Sequence, residues 1–404
     1  MSSKNLLRAA AATAVLGLAV AGCTSSGGGG GESPSATGAS NEAPQIDAGA
    51  LTADFSAMKQ LTDLAAQGEG LIGVLLPDTT TSTRYVQYDA PYLKQAFEAA
   101  GLSDDQFKID NANGSASTMQ TQAEADINAG ASVLLVDPLD PGSGAAIESK
   151  ARDAGVAVID YDRLVTGGPE DRYYVSFDNV AVGKMIGDGL VQCLTDWNVS
   201  DPNVLVMDGD PTDNNATLFA QGYNGVLDPK FEDGTYTKVG EPAGTWDPQQ
   251  AATTFQQQLT AHPDTNAAIT PNDDNANAVI SVLKGNGVGP KTFPTTGQDA
   301  SLPGLQNILT GFQCGTVYKP IYLEAQAAAA LALYLRAGVD PPSSLVNSTT
   351  KDTELNADIK SVYTTPIWVT AENMNDTVVK DKAVTVEDLC AGAVAQACKD
   401  AGIG

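Results

Sequence analysis

Leu71-Ile72-Gly73-Val74-Leu75-Leu76-Pro77 is a continuous apolar run of strand length stopped by a proline, and what flanks it decides the kind of sheet it enters. Residues 90–101 follow at helical spacing and stop on Gly101. Phe107-Lys108-Ile109 is a second strand, 117–130 a second helix, and Ser132-Val133-Leu134-Leu135-Val136 a third strand. A strand without polar alternation is buried on both faces, and repeated switching between strand and helix periods is the pattern of a parallel sheet with crossover helices. The unit recurs: helix 144–155, strand Val156-Ala157-Val158-Ile159, and a long helix 180–197 entered through Ser176-Phe177-Asp178-Asn179. Strand Val204-Leu205-Val206-Met207 follows, then helices 215–227 and 248–261, strand Ala267-Ala268-Ile269-Thr270 and helix 275–285. The fold class is therefore α/β, with two doubly wound Rossmann-like lobes in series rather than one very large sheet. Upstream, Leu51, Phe55, Met58, Leu61 and Leu64 predict a short amphipathic helix over 51–66.

The chain has 404 residues, 42% of them apolar, enough for two cores. Lys plus Arg number 22 against 49 Asp plus Glu, and a net charge of −27 repels phosphate backbones, so no nucleic-acid partner is expected. His262 is the only histidine, which excludes a multi-histidine zinc site; its place in Ala261-His262-Pro263-Asp264 reads as a helix end at the surface. Asp208, Asp210 and Asp213 hint at a calcium loop, but the twelfth position of such a loop is Phe219 where a bidentate Glu is required. Gly285-Asn286-Gly287-Val288-Gly289 follows a helix instead of opening one, which makes it a C-cap and not a phosphate cradle. No metal and no cofactor are expected.

At the N-terminus, Lys4 and Arg8 precede an apolar stretch, 9–21, too short to span a bilayer and charged like a secretory signal over 1–22. Val20-Ala21-Gly22-Cys23 resembles the bacterial lipobox, so Cys23 is the expected lipidation site; the bland alternative is an ordinary cleaved signal. Five glycines, Gly27 to Gly31, and a run poor in bulky apolar side chains make 23–50 a flexible linker to a lipid anchor. The expected location is extracytoplasmic, attached to the cell membrane through Cys23.

In parallel sheets, ligands bind outside the carboxyl ends of the strands. The polar residues there are Thr83-Arg84-Tyr85, Asp160-Tyr161-Asp162-Arg163, the run from Asp208 to Asn215, Thr245-Trp246-Asp247, Asn272-Asp273-Asp274 and Gly297-Gln298-Asp299. Bidentate Arg, Asp and Asn beside a flat indole suit vicinal hydroxyls above an apolar sugar face. A polyol ligand is expected. Taken singly, Asp162 or Asp299 is more often a turn residue, Trp246 more often core, and Asn272 more often a helix cap.

Six motifs change that weighting. Tyr161-Asp162-Arg163, Ser176-Phe177-Asp178-Asn179, Asp213-Asn214-Asn215-Ala216 with Leu218-Phe219, Asn272-Asp273, Thr296-Gly297-Gln298-Asp299-Ala300 and Val317-Tyr318-Lys319-Pro320-Ile321 occur in this order. Over about residues 70 to 385 the chain resembles the D-xylose-binding proteins of bacterial ABC importers, a branch of the sugar-binding family that includes ribose- and galactose-binding proteins. The resemblance implies two lobes joined by a three-segment hinge and closing on a monosaccharide, D-xylose favoured, which a monomeric receptor presents to an ABC permease. It implies a first lobe of 51–163 and 298–365 and a second of 164–297 and 366–404. It assigns ligand contacts to Arg84 and Tyr85 (where a tryptophan is usual), Asp162, Arg163, Asn214, Asn215, Trp246, Asn272, Asp299 and Lys319, with Asn214 and Asn215 not separable. A binder of glucose, galactose, ribose or another polyol is the alternative. A secreted glycoside hydrolase using Asp162 and Asp299 is a more distant one.

Beyond Cys23, the cysteines are Cys193, Cys314, Cys390 and Cys398, an even number in an oxidising compartment with three possible pairings. A continuous helix would hold Cys390 and Cys398 about 12 Å apart, so their pairing requires a bend. The family topology puts Cys193 and Cys314 in different lobes, where a bond would oppose opening. Cys390 with Cys398, or a tail cysteine reaching another element, is the expectation.

Overall fold

The computed structural model describes residues 44–404. The expected signal, Cys23 and most of the expected linker lie outside the described residues. In chain order come α1 (Thr62–Gln67), β1 (Leu71–Leu76), α2 (Ala90–Ala99), β2 (Phe107–Asn111), α3 (Ala116–Asn128), β3 (Ala131–Val136), α4 (Pro141–Asp153), β4 (Ala157–Tyr161) and β5 (Tyr173–Phe177). Next are α5 (Asn179–Asp196), β6 (Asn203–Val206), α6 (Asn214–Glu232), β7 (Thr237–Gly240), α7 (Pro248–Ala261), β8 (Ala267–Ile269), α8 (Asp273–Gly285), α9 (Leu302–Leu309) and β9 (Thr316–Tyr318). The chain ends with α10 (Ile321–Arg336), β10 (Ser348–Asp352), β11 (Ala357–Thr364), β12 (Ile367–Val369), α11 (Val386–Leu389) and α12 (Ala395–Asp400).

The first sheet has the order β10-β11-β5-β4-β3-β1-β2 and is parallel except for its edge strand β10. The second is β7-β6-β8, parallel, and isolated bridges from Ala268 to Thr295 and from Gln298 to Val317 carry it toward β9, which pairs antiparallel with β12. The chain crosses between lobes at Asp178, at Lys319-Pro320 and at Thr365-Pro366. This is the doubly wound, two-lobed, three-crossing architecture expected.

The lobe boundaries expected at Arg163 and Gln298 fall inside these sheets. Residues 164–177 stay with the first lobe because Tyr173–Phe177 is itself a buried strand between β4 and β11. Residues 298–318 stay with the second, since Gln298 bridges Val317 and α9 packs on α8. The tail, from Met374 through Leu389, packs into the apolar cluster that also holds α10.

Local chemistry starts the helices where the sheets need them. Ser115, Asp140, Asp178, Asp213, Asp247 and Asn272 each cap a helix with a side-chain oxygen on a backbone N–H of the first turn. Helices α5 and α6 cross with their backbones in contact: a Cβ on Gly183 would stand 2.1 Å from the Phe219 carbonyl oxygen, and one on Gly222 2.3 Å from that of Val180. That approach fixes the entry of α6, which carries Asn215.

Two N-terminal expectations are corrected. The helix expected over 51–66 begins only at Ser56 as a 3₁₀ turn that runs into α1, because Phe55 at φ 58° breaks the chain direction. The last residues of the expected linker are docked: Ile46 is buried, Ala48 N–H donates to the Ser344 carbonyl at 3.1 Å, and the Ser344 hydroxyl to that of Ile46 at 2.7 Å.

The cysteines pair as Cys193–Cys314 and Cys390–Cys398, each with Cα atoms 5.7 Å apart. The placing of Cys193 and Cys314 in different lobes is overturned: α5 and the segment entering β9 both belong to the second lobe, so this bond does not tie the lobes together. The bend needed between Cys390 and Cys398 comes after α11, where Gly392 takes φ +64° and a 3₁₀ turn leads into α12.

Candidate functional site

Between the lobes lies a narrow cleft lined by Ser82, Arg84, Tyr85, Asp162, Arg163, Asp213, Asn215, Phe219, Trp246, Asn272, Gln298, Asp299 and Lys319. The expected contacts thus converge on one space, with one exception. Asn214, the first residue of α6, lies outside that lining and faces a smaller crevice beside Asp140 and Arg163. Ser82, Asp213, Phe219 and Gln298 line the cleft although they are not among the expected contacts; all four sit in or beside the motifs read from the sequence.

Asp162 is the centre of the site. It follows β4 in the left-handed region at φ 59°, a costly conformation for a residue with a Cβ. The conformation is held because its carbonyl oxygen accepts three bonds of 2.9 Å each, from the Tyr174 and Ser176 hydroxyls and from Asn215 Nδ2. Its carboxylate takes Arg84 Nη1 at 2.8 Å and the Tyr85 hydroxyl at 2.9 Å. Burial pushes the Asp162 carboxyl up, but Arg84, Lys319 and Arg163, with the Tyr85 hydrogen bond, more than offset it and hold the group well below the usual carboxylate range.

Arg84 is fully engaged. Besides Asp162 it donates Nε and Nη2 to Asp89 at 2.9 and 2.7 Å, and Nη2 to Glu324 at 2.8 Å. Asp89 on the turn into α2 and Glu324 on α10 are absent from the expected contacts, and no local signal marks them. Arg84 and Arg163 also stand 5.3 and 5.6 Å from the Tyr85 ring centroid, so that ring serves the two guanidiniums.

Across the cleft, Arg163 Nε lies 3.1 Å from Asp213 and 3.5 Å from Asp137. Asp137, at the end of β3, is fully buried with no hydrogen bond to either oxygen, and burial pushes its carboxyl well up. Asp213 also accepts the indole N–H of half-buried Trp246 at 3.1 Å. Asn215 spends its carbonyl on Tyr174 and Asn179, at 3.2 and 2.9 Å, and one amide proton on Asp162. Asn272 caps α8 through Asn275 N–H at 3.0 Å. Lys319, at the second crossing, sits 3.4 Å from Asp299 and 3.7 Å from Asp162. Gln298 Oε1 and Asp299 Oδ1 are buried acceptors without a hydrogen-bond donor.

Three cations and three carboxylates therefore line the cleft, and each cation is already paired. With Asp89 also bonded to Arg84 from behind, the site has no free cation for an anionic ligand and is rich in groups that exchange bonds with hydroxyls.

The profile of the periplasmic binding protein domain matches residues 72–339. The D-xylose-binding periplasmic protein of Escherichia coli (strain K12) is 36% identical over 278 residues, covering 68% of this chain and 80% of that protein. The multiple sugar-binding periplasmic receptor ChvE of Rhizobium radiobacter is 30% identical over 329 residues, covering 78% of this chain and 91% of its own. A carbohydrate transporter solute binding protein from Chloroflexus aurantiacus, solved in complex with D-glucose, matches with a TM-score of 0.70 at 27% identity, over 79% of this chain and 98% of that one. Fold, profile and identity agree: the chain belongs to the periplasmic binding protein family.

Proposed function

We propose that this protein is the extracytoplasmic receptor of an ABC importer that captures a neutral monosaccharide, D-xylose first, between its closing lobes. The observation that carries this is the balanced charge of the cleft: no lining cation is left over for a phosphate or carboxylate, while Gln298 offers an unpartnered acceptor, and Asp299 a carboxylate oxygen held only by Lys319 at 3.4 Å, to hydroxyl donors. Trp246 supplies a flat apolar surface on one wall. D-xylose is preferred over other sugars on the relatives at 36% and 33% identity, both named D-xylose-binding periplasmic proteins.

Hydrolysis fits the cleft poorly. A glycosidase needs an acid and a nucleophile free to reach the scissile bond, and Asp162 is tied to Arg84 and the Tyr85 hydroxyl while Asp299 faces Lys319. The second reading is a receptor for several monosaccharides, favoured by relatives at 29% and 30% identity named for multiple sugars. Lipid attachment at Cys23 and delivery to a permease complete the proposal. Calorimetry across D-xylose, D-glucose, D-galactose, D-ribose and myo-inositol tests it, with D-xylose expected to bind most tightly. Equal affinity for xylose and glucose selects the second reading, and binding of a sugar phosphate in preference to all of these overturns both.

A further inference from the structure

Thr83 and Asp274 meet across the mouth of the cleft. Thr83 stands on the first lobe in the loop leaving β1, and Asp274 on the second lobe in the first turn of α8. The backbone N–H and the hydroxyl of Thr83 both donate to Asp274 Oδ2, at 3.2 and 3.3 Å. Neither residue lines the cavity, although Ser82, Arg84 and Asn272 beside them do. The contact therefore sits on the rim, outside the ring of groups that faces the ligand space.

Both sides of this contact are stiff. The Asp78 carboxylate gathers the preceding loop, accepting Thr80 N–H at 2.7 Å, Thr80 Oγ1 at 3.0 Å and Thr81 Oγ1 at 2.6 Å. Asn111 Nδ2 holds the Asp78 carbonyl at 2.8 Å. The Thr83 carbonyl accepts the N–H groups of Val86 and Gln87, at 3.3 and 3.1 Å, so the loop runs directly into a helical turn and leaves the Thr83 N–H for the other lobe. Opposite, the Asn272 cap fixes the turn that carries Asp274, and Asp273 in the same turn accepts Ser301 N–H at 2.7 Å and Gln313 Nε2 at 2.8 Å. A rigid lip meeting a rigid helix start can engage only over a narrow range of lobe angles.

We propose that Thr83 and Asp274 form the closing contact of the cleft, a positioning pair that sets ligand affinity through the fraction of closed molecules without touching the ligand. Breaking it lowers the closed fraction, and the apparent dissociation constant rises by the same factor. Two donors on one carboxylate oxygen correspond to about a five- to tenfold change in that fraction. The affinity arm rests on the sugar-receptor reading; the scattering arm does not.

Three variants of the full chain test the pair: Asp274→Ala, Asp274→Asn, which keeps an acceptor, and Thr83→Val, which removes only the hydroxyl donor. With D-xylose as the probe, Asp274→Ala should raise the dissociation constant about tenfold, nearly all of it in a faster dissociation rate. Asp274→Asn and Thr83→Val should each give about threefold. Without sugar, X-ray scattering should show Asp274→Ala with a larger radius of gyration than the parent. If Asp274→Ala fails to fold, Thr83→Val carries the test alone. Unchanged dissociation in the variants overturns the pair. If the parent itself does not bind D-xylose, the receptor reading is what has failed, and superimposable scattering profiles of parent and Asp274→Ala overturn the pair independently.

Discussion

Glu324 is the most instructive residue to perturb, because it is buried on α10 with one oxygen on Arg84 and the other, Oε1, without a donor. Burial, opposed by Arg84 and reinforced by Asp162 and Asp89, pushes its carboxyl up from 4.5 to about 8. The unfolded chain releases this proton near 4.5 while the folded chain keeps it until about 8. The folded state therefore loses stability as pH rises between those values, and the contribution is fully present only below the lower one. The span corresponds to at most about 4 to 5 kcal/mol, of which relaxation around the site leaves on the order of 2. Glu324→Gln keeps an acceptor for Arg84 Nη2 and puts a neutral amide where Oε1 has no partner. Urea unfolding at about pH 5, 6.5 and 8 should give near-equal stability for the two proteins at the lowest pH and a growing advantage for the Glu324→Gln variant as pH rises. Taking the difference between the two proteins cancels the other titrating groups. A difference that stays constant, or falls, with pH refutes the assignment.

Trp246→Ala should weaken sugar binding by roughly 2 kcal/mol, on the order of thirtyfold, with a small change in unliganded melting because the ring is only half-buried; a large melting loss with unchanged intrinsic affinity removes Trp246 from the site. Arg84→Met leaves Asp89 and Asp162 buried without their guanidinium and should cost about 3 to 5 kcal/mol of stability by urea unfolding; a loss under about 1 kcal/mol contradicts the hub. Cys193→Ser should lower the melting temperature, since the bond closes a span of 121 residues, while leaving the dissociation constant for D-xylose near that of the parent. Cys23→Ser should move the protein from the membrane fraction to the soluble one; retention on membranes refutes the lipid anchor.

Strands buried on both faces are legible because nothing in them alternates: β1, β3 and β6 read directly as apolar runs. β5 is not, since its Tyr-Tyr-Val-Ser-Phe sequence precedes a strong cap at Asp178 and reads as the approach to α5; that single omission misplaces the first lobe boundary. The β10–β11 pair, Ser348–Asp352 and Ala357–Thr364, is polar on alternate residues and becomes a strand pair only against β5, a neighbour far away in the chain. Site residues at strand ends are legible from position and motif. Asp89, Glu324 and Asp137 are not, because what makes them matter is a buried guanidinium brought from elsewhere, and no local spacing records that.

The cross-lobe contacts differ in kind along the cleft, and that difference bears on how the molecule moves. Near the first crossing, Asn215 of the second lobe is locked to the Asp162 carbonyl, to Tyr174 and to Asn179, and all of these bonds are buried. Opening that corner would break the two bonds that cross it, Asn215 Nδ2 to the Asp162 carbonyl and the Tyr174 hydroxyl to Asn215 Oδ1, and a buried amide N–H left unpaired there costs about 1 to 3 kcal/mol. At the rim, the Thr83–Asp274 bonds are only partly buried, and water would replace them if the lobes parted. The Asn215 corner should therefore act as the pivot and the Thr83 rim as the edge that travels. Arg163–Asp213 and Trp246 line the same cleft, where a captured sugar would meet both lobes once the rim has closed.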